Sequence, residues 1–237
     1  MSGYVDLSLG EGDENFGRKS DKFKGVAGQT ERLTLAWMKT TPDGLPTGKP
    51  IFKGARRHFL SGVGYFLANG PEFTKIAGKD AKEVAATIVV KWPSRNGDLD
   101  KSRLLDGWQV MPWVFSGDKY SAIRGIHQEF PLELHDLKVT CTDSQFQKMT
   151  FSPCKDNVLA KLAESEKGAI VAKEIMAAVA HVATQIESML GTNMSLTQIR
   201  ERLAGGGGGG GGGGIPHQGA APVDSSVNDA DLDDLLA

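Results

Sequence analysis

Cations and flat rings alternate through the first third of the chain, a combination that could grip a nucleic-acid strand. Residues 18–65 carry ten basic side chains, Arg18, Lys19, Lys22, Lys24, Arg32, Lys39, Lys49, Lys53, Arg56 and Arg57. Only Asp21, Glu31 and Asp43 oppose them, a local balance of +7. Phe23, Trp37, Phe52, Phe59, Tyr65 and Phe66 are threaded among these charges. Cations track phosphates and release counterions. Rings stack unpaired bases at about 1–3 kcal/mol each. The pattern recurs at Lys91, Trp92, Arg95, Trp108, Trp113, Lys119, Tyr120 and Arg124. The residues expected to contact a strand are Trp37, Lys39, Lys53, Arg56, Arg57, Phe59 and Tyr65, together with that second group. Trp37, Trp92 and Tyr120 rank first as stackers because each adjoins or nearly adjoins a cation. The competing reading for any one ring is a place in the core of a small β-domain.

Other chemistry is poorly represented. His127, His135, Cys141 and Cys154 are the residue types of a tetrahedral zinc site, but no pair has the tight spacing such sites use. Buried or incidental Cys and His is the favoured reading. Gly44, Gly48 and Lys49 partly match a phosphate loop, yet the first gap is short and Pro50 stands where Ser or Thr is needed. Neither a nucleophile-elbow motif nor a zinc-protease motif occurs. The expectation is a non-enzymatic protein without a cofactor.

The elements that must position the rings are short strands. Residues 32–38 alternate, 86–92 are β-branched, and 108–115 form a third run. Pro112 confines that third run to a sheet edge or a bulge. Residues 136–142 and 148–151 look like a closing pair, with turn signals at 41–44, 69–71, Asn96-Gly97 and Ser116-Gly117. After Pro153 the period changes. Val171, Ile175, Val179, Val182, Ile186 and Met189 recur at helical steps. Ser195 and Gln198 fit a capping box ahead of Leu196, Ile199 and Leu203. Every aromatic residue lies at or before Phe151. The fold expected is mainly β. It divides into a loose arm at 1–17, an OB-like β-barrel at 18–152 and a helical extension at 153–204, whose apolar face packs on the barrel or pairs with a second copy.

The rest of the chain is built differently. Thirty of the 237 residues are glycine, ten of them in one run at 205–214, which predicts a flexible linker over 205–223. The end, 224–237, is expected to be a disordered acidic tail. Residues 205–237 hold five aspartates and no Lys or Arg, so the formal net charge of −2 hides a body of +3, with 27 basic against 24 acidic side chains. Such asymmetry points to nucleic-acid binding or an interaction tail. No apolar stretch reaches membrane-spanning length. Two cysteines make no disulfide framework, and the N-terminus lacks the features of a secretory signal, so a cytoplasmic setting is expected.

A body, a glycine spacer and an acidic end, in that order, resemble bacterial and bacteriophage single-stranded DNA-binding proteins. The stretches Arg57-His-Phe, Gly62-Val-Gly-Tyr65, Gly70-Pro-Glu72 and 135–143 are also similar to phage single-strand binders. The resemblance implies an OB-fold core that coats DNA in replication, recombination and repair. It also implies a tail, here Asp229, Asp231, Leu232, Asp233, Asp234, Leu235 and Leu236, that recruits proteins such as a polymerase or helicase-primase. The tail ends Leu-Leu-Ala, where bacterial ones end Pro-Phe. The alternative readings are a structural or assembly protein, for instance of a virion, and a single-stranded RNA-binding regulator.

Overall fold

The computed structural model describes residues 22–40, 46–67, 70–143 and 148–204. The arm at 1–17, the turn at 41–44, the linker at 205–223 and the tail at 224–237, with all its named residues, lie outside them. The first strands are β1 (Thr30–Leu35), β2 (Lys39–Thr40), β3 (Pro46–Thr47), β4 (Lys53–Leu60) and β5 (Gly64–Leu67). A short helix, α1 (Pro71–Ala77), precedes the long β6 (Lys82–Trp92) and the small hairpin β7 (Ser94–Arg95) and β8 (Asp98–Leu99). Then come β9 (Gln109–Ser116), α2 (Gly117–Glu129), β10 (Leu137–Cys141) and β11 (Met149–Pro153). The C-terminal part holds α3 (Val158–Leu162), α4 (Glu166–Ala183), α5 (Ile186–Leu190), β12 (Thr192–Asn193) and α6 (Leu196–Ala204).

These form a sheet-rich fold around one mixed eight-stranded sheet. Its path runs β11-β10-β1-β6-β4-β5-β12, with β9 added to β6. The strand β6 is the hub. One of its edges is divided between β4, along Lys82–Ala86, and β1, along Val89–Trp92, while β9 follows the other edge from Val84 to Lys91. The path ends on β11 and β12, which do not pair with each other among the described residues. As Pro112 requires, β9 is bonded to a strand on one side only among the described residues. On its outer side the Pro112 carbonyl accepts from the Phe23 N–H at 2.8 Å.

Both faces of β6 are covered, which is why its apolar residues run nearly unbroken instead of alternating. Val84, Ala86, Ile88, Val90 and Trp92 pack against α3, α4 and α5. Ala85 and Val89 face the other way, toward Trp113, Phe115, Leu137 and Ile123 of α2. A third cluster, Val63, Phe66, Met194 and Ile199, joins the β4–β5 hairpin to α6. The expected helical stripe is present, and it is buried within its own chain against the sheet rather than left open for a second copy. The capping box is present too: the Gln198 side chain accepts from the Ser195 N–H at 2.9 Å, and the Ser195 hydroxyl accepts from the Gln198 N–H at 3.3 Å. Ile199 supplies the buried contact of α6, while Leu203 is exposed.

No helix is long and apolar enough to cross a membrane among the described residues. Several elements have no counterpart in the sequence, the longest being β4 and α2, with β5, α1 and the short strands beside them. Only three of the eight residues of β4 are apolar, and α2 buries a single residue, Ile123. Neither shows a hydrophobic period.

Candidate nucleic-acid interface

The β4–β5 hairpin presents rings to solvent. Antiparallel pairing sets Arg57 opposite Leu67 and Phe59 opposite Tyr65, so Arg57, Phe59 and Tyr65 share one face. On β6, Lys82 lies opposite Arg57 and Glu83 opposite Arg56. Phe59 and Tyr65 are 59% and 51% exposed, and their rings lie 5.0 Å apart at 53°. The Arg57 guanidinium stands 3.9 Å from the Tyr65 ring centroid. Its Nη1 also donates to the Met189 and Leu190 carbonyls at 3.3 Å, at the end of α5. Arg57 therefore ties a helix C-terminus to the ring and fixes the tyrosine's orientation.

Other cations lie near Arg57. Burial first, then the like charges of Arg57 and Lys24, push the Lys22 amine down, so each of those two cations acts on Lys22. Burial also lowers the Arg57 pKa, and Tyr65 opposes the shift. Lys53 is exposed and paired with Glu187 of α5, a surface pair of small worth. Beside the hairpin, an open cleft of about 710 Å³ lies where β5 ends, lined by Arg56, Leu67, Phe73 and Asn193.

The other expected contacts are not gathered here. Trp92 and Trp113 are corrected from stackers to core, being 0% and 2% exposed. The Trp92 indole N–H donates inward to the Thr34 hydroxyl at 2.7 Å, and Trp113 packs among Phe23, Phe115 and Phe151. Neither can receive a base, because a helix layer covers each face of the sheet at those positions. Trp37 and Trp108 are half-buried against the helical core, and the Trp108 indole donates to the Leu105 carbonyl at 3.1 Å. Tyr120 is half-buried, edge-on to Phe52 at 5.3 Å. Lys119 lies 3.4 Å from the Ser116 hydroxyl, and Arg124 is exposed on α2. Lys39 is exposed on β2, while Lys91 and Arg95 stand at the far end of β6.

One further expectation changes. Arg32, one of the ten cations of 18–65, is not part of the surface charge. Its Nε donates to Asp136 at 2.8 Å, and that carboxylate is fully buried. The zinc-like residues do not converge, since no group of three or more His, Cys, Asp or Glu side chains is placed to hold a metal among the described residues. His135 approaches the Cys154 carbonyl at 2.9 Å, and the Cys141 thiol donates to the Asp143 carbonyl at 3.2 Å.

The signal that could have separated Tyr65 from Trp92 is local. Tyr65 and Phe59 sit beside Gly62, Gly64 and polar residues, whereas Trp92 ends the run 84–92, which is apolar except for Thr87 and Lys91. Comparison with family models, with curated proteins and with solved structures finds no match for this chain.

Proposed function

We propose that this is a non-enzymatic protein that binds single-stranded DNA without reading its sequence, and that the β4–β5 hairpin is the contact surface. The observation that carries the reading is the exposed Phe59–Tyr65 ring pair with the Arg57 guanidinium over it. Rings held on a strand, with cations alongside, suit unpaired bases that carry phosphates between them. The division of one β6 edge between β1 and β4 supports an OB-like, partly open arrangement, a fold whose sheet face and loops take strands. The tail at 224–237 then recruits replication or recombination proteins by its charge and its leucines.

Fluorescence anisotropy with labelled oligo-dT tests the reading. Phe59→Ala and Tyr65→Ala should each weaken binding by about 1–3 kcal/mol without changing the urea midpoint. Affinity equal to wild type in both variants would remove the hairpin from the interface. A second reading, an assembly or interaction protein, draws on the scatter of the remaining cations and half-buried rings over α2, β2 and the far end of β6. It expects no oligonucleotide binding at low salt.

A further inference from the structure

We propose that the cleft at the C-terminal end of β6 is a phosphate-binding site built on Arg95 and Arg103. Its ligand is a phosphate carried either by the backbone of a single strand or by a free nucleoside phosphate. For the first source the proposal rests on the DNA-binding reading, and for the second it stands alone. After Trp92 the chain leaves the sheet and turns back through β7 and β8. The turn is Asn96-Gly97, with φ of 53° and 82°, the left-handed pair that a two-residue type I′ hairpin needs. The chain then passes through a single 3₁₀ turn, Lys101–Arg103, before entering β9. Between these segments and β1 lies a cleft of about 330 Å³. That is the small end of the roughly 300–1,000 Å³ range of ligand clefts, a size for one nucleotide-like group.

The charges in the cleft are unequal in their availability. The Lys91 ammonium and the Glu31 carboxylate neutralise each other at 2.9 Å. Asp100 accepts from the Ser102 hydroxyl at 2.6 Å and keeps its negative charge, so the two arginines leave the lining one charge positive. The Arg95 and Arg103 guanidinium groups, both exposed, have no hydrogen bond or ion pair among the described residues. The Ser94 hydroxyl oxygen is buried and has no partner there. A buried hydroxyl left unmatched is costly, and rotation of the Ser94 side chain toward the cleft would let a phosphate oxygen accept from it. Two forked guanidinium donors and one hydroxyl donor are the complement of a phosphate group. The one ring lining the cleft, Trp92, is fully buried, so the cleft is suited to grip phosphate and not a base. Along β6 it lies about 30 Å from the hairpin rings, at roughly 3.3 Å per residue, so the two surfaces can be tested separately.

The test uses the ¹⁵N-labelled full chain titrated with oligo-dT and, separately, with inorganic pyrophosphate. The amides of Ser94, Arg95 and Arg103 should shift with at least one probe, and the double variant R95Q/R103Q should abolish those shifts. Shifts with oligo-dT identify the strand backbone as source. In that case the double variant should also flatten the slope of log affinity against log salt by about 1.4. Shifts with pyrophosphate alone identify a free phosphate ligand and stand even if no oligonucleotide binds. Oligonucleotide binding that leaves these amides unmoved, with no response to pyrophosphate, would overturn the cleft and leave the hairpin reading intact. Silence toward both probes would overturn the cleft as well.

Discussion

A tryptophan next to a lysine and a tyrosine between glycine and phenylalanine look equally able to stack a base, and their surroundings give them opposite places. The indole of Trp92 heads a buried chain. It donates to Thr34, whose hydroxyl donates to Asp136, which in turn accepts from Arg32 and from the Val158 N–H at the start of α3. Trp92→Phe should therefore cost about 1–3 kcal/mol in urea unfolding through the lost indole hydrogen bond and the space the smaller ring leaves, and leave oligo-dT affinity unchanged in anisotropy. The same chain makes stability depend on pH. Burial pushes the Asp136 carboxyl up to about 6, outweighing the Arg32 charge and the hydrogen bonds that pull the other way. The folded protein then binds a proton more tightly than the unfolded chain, so this group's contribution is fully present below about pH 4 and is lost as pH rises through about 6. In urea titrations from pH 4 to 7, Asp136→Asn should flatten that fall. A profile parallel to wild type would show that Asp136 titrates normally. None of this was legible in residue types: Arg32 reads as one more surface cation until β1 and β10 are paired.

Elements held their predicted places where burial gave a period. The runs behind β1, β6, β9 and the β10–β11 pair were all visible, as was the α4 stripe, because each buries a continuous set of apolar side chains. The strand β4 escaped notice because Lys53, Arg56 and Arg57 fall on both of its faces, and α2 because Gly125 and exposed polar residues surround its one buried side chain. Local propensity also misleads at Gly168, near the start of α4. Alanine there would ordinarily favour the helix by about 1 kcal/mol. A Cβ at this position would meet the Leu162 carbonyl oxygen at 2.1 Å, and this is backbone that cannot swing away. The Gly168 N–H also donates to the capping Ser165 hydroxyl at 3.0 Å. Gly168→Ala should therefore lower the melting temperature, by separating α3 from α4. An unchanged or raised value would mean that the α3–α4 junction relaxes freely.

Over the whole molecule, the near-zero net charge conceals a basic body and an acidic end, and the structure shows where the described basic side chains sit. Arg32 is withdrawn into the interior, while Arg57 stands over the exposed Tyr65 ring and within electrostatic reach of Lys22. Arg95 and Arg103 collect at the opposite end of β6. Composition located the cations along the chain but could not separate these surfaces, since only the pairing of β4 with β6 and the β7–β8 turn sets them apart. The claim that unites them is binding of an unpaired strand through stacking and phosphate contacts. Its most direct test is an anisotropy titration of the full chain with oligo-dT and with the matching duplex, each at about 50 mM and about 200 mM salt. The expected result is tighter binding of the single strand than of the duplex, weakened at least tenfold at the higher salt. No binding of oligo-dT at the lower salt would contradict it.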